Sequence, residues 1–281
     1  MVNQITGVLL ESLQITGLVL LMMIFVDIIN VWTRGKLGSI LHSASRWKQY
    51  IISSAIGTTP GCVGAFANVS LYMHGMIGFG AVAGSMLATS GDEAFVMLAL
   101  FPKTAIVLFG ILFVLGIFAG KIIDFIVRRY KIETCTDCDV PQYHSHQEKN
   151  YKHYVKEHVW NHIIKEHIWK TFLWTFGALL LLDVGLAHWH VHELAGQYTL
   201  LLLFIGALIG LIPESGPNLI FVTMFAGGLI PFSVLLTNSM VQDGHGLLPM
   251  LSYSLSDSIK IKTFNFVIGI LIGLIVYYMG F

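Results

Sequence analysis

What this chain mostly lacks is charge. Lys, Arg, Asp and Glu make up 11% of its 281 residues against 55% apolar, where a soluble domain carries about 25% charged residues. The shortfall excludes a water-soluble globule and makes lipid the solvent for most of the chain. The mean hydropathy of +0.74 agrees. Sixteen basic residues balance sixteen acidic ones, and no basic tail is present, so nucleic acid is excluded as a partner. Cysteine is scarce: Cys62, Cys135 and Cys138 are an odd set, which argues against a disulfide framework. There is no Walker A loop, no Gly-x-Ser-x-Gly and no His-Glu-x-x-His. Nucleotide hydrolysis in cis is thereby excluded, and the expectation is a non-enzyme that requires no cofactor. No Lys or Arg precedes the first apolar run in MVNQITGVLLESL. A cleaved leader needs such a basic start, so this run is expected to stay as a membrane helix.

What the chain has is a series of apolar runs interrupted by 28 glycines. The first spans 7–32 and leaves the membrane at Trp32-Thr33-Arg34-Gly35-Lys36. A mixed segment at 38–57 follows, then a stretch at 57–90 broken by Pro60 and six glycines, which suits two short packed helices or a re-entrant pair. A strong span covers 104–127, and 128–168 is the one sizeable polar region. Apolar character returns at 169–187, 198–212, 217–227, 229–241, 247–255 and 263–280. The expected fold is an all-α polytopic membrane protein with about ten embedded segments.

A repeat organises these segments. Offset by 153, residues 57–120 align with 210–273 without a gap and share 15 identities in 64 positions. Pro60 meets Pro213, Gly75 meets Gly228, Gly91 meets Gly244, and FVLGI at 113–117 meets FVIGI at 266–270. Lys and Arg set the orientation. Arg34 and Lys36 place the first exit in the cytoplasm, as do Lys121, Arg128, Arg129 and Lys131 for the central loop. Lys260 and Lys262 fall on the same inner side. Both termini are then outside, and the halves 1–127 and 169–281 are inverted repeats flanking a cytoplasmic 128–168 loop. Inverted repeats with broken or re-entrant helices are a transporter signature, with the site expected where the repeats meet.

Ionisable groups inside a bilayer are costly and mark function. Asp92 and Glu93 in TSGDE stand opposite Asp243 and His245 in QDGHG, and the offset sets Asp92 against His245 and Ser90 against Asp243. Glu214 in IPESGPN follows the paired proline, with Asn218 four residues on. With Asn68, these residues form the expected substrate site. Carboxylates, an imidazole and an amide suit a divalent ion of intermediate hardness, Mn²⁺ first, then Zn²⁺ or Fe²⁺. The competing reading makes the same residues caps of broken helices. In the cytoplasmic loop Cys135 and Cys138 form a CxxC, followed by His144 and His146 and by His158 and His162 at i and i+4. That pattern suits a second, metal-acquiring segment. Glu11 and Asp27 stand roughly 24 Å apart along the first span and cannot share a site. Together with Asp183 they are expected to be relays or interfacial groups.

The stretches GCVGAFANVSLYMHG, ATSGDEAFVMLALFPKTA, IPESGPNLIFVT and GLIPFSVLLTNSMVQDGHGLLPML resemble the ten-span heavy-metal exporter family, whose members are labelled manganese transporters or arsenic efflux proteins. The resemblance runs from LLESLQITG in the first span to the final helix. It implies a bacterial-type inner-membrane exporter with a Cys/His-bearing cytoplasmic loop. The leading expectation is export of a divalent cation by alternating access, with lipid and metal as partners and a homodimer allowed for. The alternatives are an arsenic permease that relies on Cys62, and a membrane metalloenzyme or sensor through which nothing passes.

Overall fold

The computed structural model describes residues 45–134 and 199–281, with helical positions scattered between 6 and 21 and between 169 and 180. Among the described residues the regular structure is helical, without a strand. Five helices make up the first described block: α1 Arg46–Gly57, α2 Val63–Met73, α3 Phe79–Ala88, α4 Glu93–Leu100 and α5 Pro102–Arg129. Five more make up the second: α6 Thr199–Gly210, α7 Gly216–Ala226, α8 Phe232–Val241, α9 Leu247–Tyr253 and α10 Leu255–Tyr278. A 3-10 turn, Gly244–Gly246, precedes α9.

The offset found in the sequence returns in the backbone. The first residues of α1, α2, α3 and α5 lie 153 positions before those of α6, α7, α8 and α10. Left-handed glycines recur at the same offset, Gly75 with Gly228 at φ 65° and 68°, and Gly91 with Gly244 at φ 56° and 51°. Contacts between the blocks are reciprocal as well: α2 packs on α9, and its counterpart α7 packs on α4.

α5 and α10 are long and apolar enough to cross a membrane by length and composition. Their 28 and 24 residues correspond to about 42 and 36 Å, against a hydrocarbon core of about 30 Å. Pro102 starts α5, and Arg128 and Arg129 in its last turn complement the helix dipole. Its exposed face carries Ile106, Val114, Phe118, Ile122 and Phe125, and Ile259, Val267, Leu271, Ile275 and Tyr278 repeat that stripe on α10 at the same offset. An apolar outer stripe of that length suits lipid. The two helices run antiparallel. Lys260, near the start of α10, donates to the Glu133 carbonyl just past the end of α5. At the opposite end, Lys103 and Val107 line one cavity with Val276 and Met279.

The expected segment 263–280 begins earlier than its apolar run suggests. The Ser254 hydroxyl accepts the Asp257 N–H at 3.2 Å and closes a helical turn ahead of it. Lys260 and Lys262 therefore lie within α10, and Lys262 is buried in the protein instead of flanking it.

Between the long helices sit short ones of 7–12 residues. At about 1.5 Å per residue none of them is long enough to cross a hydrocarbon core of about 30 Å. Every residue of α3 is buried. It lies against α5 through Gly80 and Gly84 facing Gly116 and Gly120, where a Cβ on either α3 glycine would collide with an α5 carbonyl. In lipid, such small-residue contact replaces the hydrophobic effect as the source of helix cohesion. A polar knot at the end of α5 adds to it. Asp124 accepts from Tyr50 Oη at 2.6 Å, the Gly80 N–H at 2.9 Å, Arg128 at 3.1 Å and Arg46 at 3.2 Å.

Candidate metal site

The breaks between α3 and α4 and between α8 and α9 meet each other. Gln242 Nε2 donates to the Thr89 carbonyl at 3.3 Å, and these residues are 153 positions apart. A Cβ on Gly244 would stand 3.5 Å from the Cα of Gly91, again its counterpart. The two breaks therefore meet through residues that the 153-position offset makes equivalent. The left-handed φ of Gly91 and Gly244 lets each chain turn there while its neighbour stays close.

The first turns of α2, α4, α7 and the 3-10 turn bring the chemistry to this seam. Cys62 and Asp92 immediately precede α2 and α4, and His245 lies inside the 3-10 turn. The Cys62 thiol donates to Asp92 Oδ2 at 3.5 Å, and His245 Nδ1 stands 3.7 Å from the same oxygen. One donor atom from each of the three lies within 4.8 Å of the others. In a tetrahedral shell with bonds of about 2.0–2.3 Å, donors stand about 3.3–3.8 Å apart. The second imidazole nitrogen, Nε2, faces Glu214 Oε1 at 3.9 Å. A carboxylate behind a ligating histidine fixes its ring and tautomer. The Asp92 side chain is 52% exposed and that of His245 6%, so the cluster is open on the Asp92 side.

The remaining expected residues separate into three kinds. Glu93 and Ser90 are buried at the seam, and neither the carboxylate oxygens of Glu93 nor the hydroxyl of Ser90 has a hydrogen-bond partner among the described residues. A buried carboxylate without a partner calls for a cation or a proton. Asp243 is fully buried, with Oδ1 held by Lys262 Nζ at 2.8 Å. Asn218 and Asn68 serve the scaffold. Asn218 donates to the Glu214 carbonyl at 2.7 Å and accepts from Asn238 at 2.7 Å. Asn68 donates to the carbonyls of Ser53 and Gly64 at 2.9 and 3.2 Å. Glu11, Asp27 and Asp183, and the loop residues Cys135, Cys138, His144, His146, His158 and His162, lie outside the described residues.

The helix-cap reading accounts for little of this. Asp92 and Asp243 sit at cap positions but make no side-chain cap hydrogen bond. Glu214 accepts the Gly216 N–H in the first turn of α7 at 2.8 Å, from the position before the cap residue Ser215. Two participants are hard to assign from sequence. Cys62 bears no recognisable motif, and the Gly61 N–H, bonded to the Gly91 carbonyl at 3.0 Å, holds its turn against the Asp92 loop. Lys262 reads from sequence as a topology marker. Only its helical register with Lys260 and Asp257 could have placed it inside.

The model of a family described as "Putative, 10TM heavy-metal exporter" matches residues 11–178 and 171–280, nearly the full chain. Comparison with curated proteins and with solved structures gives no match.

Proposed function

The chain belongs to this multi-span heavy-metal exporter family, and we propose that its cargo is a divalent metal cation bound at the seam and moved by alternating access. The observation that carries the reading is the Cys62–Asp92–His245 cluster. Carboxylates alone would suit Mn²⁺, whereas a thiol and an imidazole beside them favour a borderline ion such as Zn²⁺ or Fe²⁺. In this reading the thiol yields its proton as metal binds, Glu214 steadies the ring of His245, and Glu93 supplies buried negative charge.

The transport mechanism rests on architecture. The 153-residue offset of the helices, the antiparallel course of α5 and α10, and the short helices ending at the seam support two inverted repeats, 1–127 and 169–281, within a fold of ten membrane-embedded segments. Rocking of one half against the other would expose the cluster to either side in turn. The charge distribution supports an inner-membrane protein with both termini outside and 128–168 in the cytoplasm. Labelling of Cys135 or Cys138 from outside intact cells would overturn that orientation.

The deciding experiment is flux of Zn²⁺, Fe²⁺ and Mn²⁺ through the purified chain in liposomes. Wild type should pass at least one of them, and Asp92→Asn and Cys62→Ala should each lose flux while remaining folded. Binding without flux would make the protein a sensor or metalloenzyme. Arsenic efflux has one specific observation behind it, a thiol at the seam. Arsenite flux that requires Cys62 and ignores Asp92 would establish it in place of the divalent reading.

A further inference from the structure

The ammonium of Lys262 occupies a distinct place. It donates to Asp243 Oδ1 at 2.8 Å, to the Gly210 carbonyl at 2.9 Å and to the Val241 carbonyl at 3.1 Å. A lysine has three N–H donors, and here each has an oxygen. Gly210 is the last residue of α6 and Val241 the last of α8. Both carbonyls therefore belong to helix ends, where acceptors lack intrahelical partners and the dipole is negative. The second oxygen of Asp243, Oδ2, is buried and has no hydrogen-bond partner among the described residues. The pocket thus consists of two helix C-termini and a carboxylate, with only oxygen turned toward the cation. That donor set, built from helix ends in a broken-helix fold, is one that holds small monovalent cations.

The other half supplies an internal control. At the equivalent place α1 ends at Gly57 and α3 at Ala88, so the backbone carbonyls recur. Ser90 stands where Asp243 does, and Phe109 stands where Lys262 does. There the hydroxyl of Thr89 lies 3.0 Å from the Ser85 carbonyl and 3.3 Å from the Gly57 carbonyl, between which its one hydrogen is shared. The same pair of helix ends thus meets a neutral hydroxyl at one carbonyl in the first half and a buried carboxylate with a cation in the second. The charged version is not needed to close the helix ends, and a buried ion pair seldom adds stability over an apolar substitute.

We propose that this pocket is a monovalent-cation site filled from within: Lys262 is a tethered counter-cation, and the protein carries on its own chain the ion that such a cage would otherwise draw from solution. Ammonium and potassium, whose size is close to that of the lysine head, fit the observed distances better than sodium. The tether also keeps Asp243, two residues before His245, occupied while the neighbouring cluster loads and empties. The cage itself does not depend on the identity of the transported species.

The test is thermal unfolding of the purified full chain, without divalent metal, in ammonium, potassium, sodium or choline chloride at equal ionic strength. In choline, Lys262→Ala should lower Tm by on the order of 10 °C, because Asp243 is left buried without its partner. About 100 mM ammonium or potassium should recover roughly half of the loss by filling the vacated cage. Wild type should not distinguish the four salts. The double variant Lys262→Ala/Asp243→Asn should unfold at a higher temperature than Lys262→Ala and lose the ammonium response. Equal Tm values for Lys262→Ala in all four salts would overturn the proposal, as would an ammonium response that survives in the double variant. Failure of Lys262→Ala to fold in any salt, with the double variant folded, overturns it equally, because a cation cage must accept a replacement cation.

Discussion

At the seam the two halves place different side chains on one backbone. The first half contributes Cys62, Asp92 and Glu93; at the matching positions the second has Ser215, His245 and Gly246. Where the first half is neutral, at Ser90 and Phe109, the second buries Asp243 against Lys262. Helix starts, left-handed glycines and the crossing at Thr89 and Gln242 are nevertheless shared. Position in this molecule is set by the repeat, and chemistry by how the copies have diverged. In the proposed function, a single ion held at the seam gains from that divergence. Thiol and carboxylate arrive from one side and imidazole and carboxylate from the other, a mixed set that two identical loops could not offer.

The strongest way to break the comparison is to exchange the equivalent ligands. Asp92→Asn or His245→Ala should each lower metal flux by at least about 100-fold, since each removes a donor. The exchange Asp92→His with His245→Asp returns the same donors from opposite halves. If the seam is two-fold in function, the double variant should recover to about a tenth of wild-type flux in liposomes. A double variant no better than either single one would show that the two loops are not interchangeable around one ion.

A smaller effect separates the charged half from the neutral one. Asp243→Asn strands the Lys262 ammonium in a buried pocket and should destabilise the protein by about 3–5 kcal/mol. Ser90→Ala, at the equivalent position, removes a hydroxyl that has no hydrogen-bond partner among the described residues and should stay within about 0.5 kcal/mol. Thermal unfolding of the two variants side by side measures the difference. Comparable losses would mean that the first half also depends on a buried polar contact at this point.

The repeat is legible in the sequence because it rests on glycine and proline, whose backbone demands leave a spacing that apolar drift cannot erase. Gly75, Gly91, Gly228 and Gly244 carry that signal, and all four have left-handed φ. The break loops are legible for the same reason. Long-range partnerships leave no such trace. Cys62 stands out in the sequence as an embedded thiol, but its meeting with Asp92 and His245 shows only once the turn before α2 is hydrogen-bonded to Gly91. Lys262 looks like a membrane-flanking charge until α10 is seen to begin at Leu255. Asn68 and Asn218 have scaffold contacts that spacing does not reveal either. A buried amide in an apolar helix suggests a ligand, yet both satisfy carbonyls of the scaffold.

The mildest test asks where the halves should behave alike. Gly75 and Gly228 end α2 and α7 in the same way. The Met76 N–H reaches the Leu71 carbonyl at 2.9 Å and the Gly75 N–H reaches Tyr72 at 2.9 Å; the Leu229 N–H reaches Met224 at 2.9 Å and the Gly228 N–H reaches Phe225 at 3.0 Å. This paired bonding closes a helix through one left-handed residue. A Cβ at either glycine would meet nothing within 4 Å, so steric collision is absent and only the backbone conformation is at issue. Gly75→Ala and Gly228→Ala should therefore each cost about 1 kcal/mol, the penalty of a side chain in left-handed geometry. The two values should agree within about 0.5 kcal/mol, and asparagine at either position should cost less than alanine. Because neither residue approaches the seam, metal flux should be unchanged in both. A clear inequality between the two alanine variants would mean that one helix end moves during unfolding or transport while its counterpart stays fixed, and the equivalence of the halves would then stop at their outer turns.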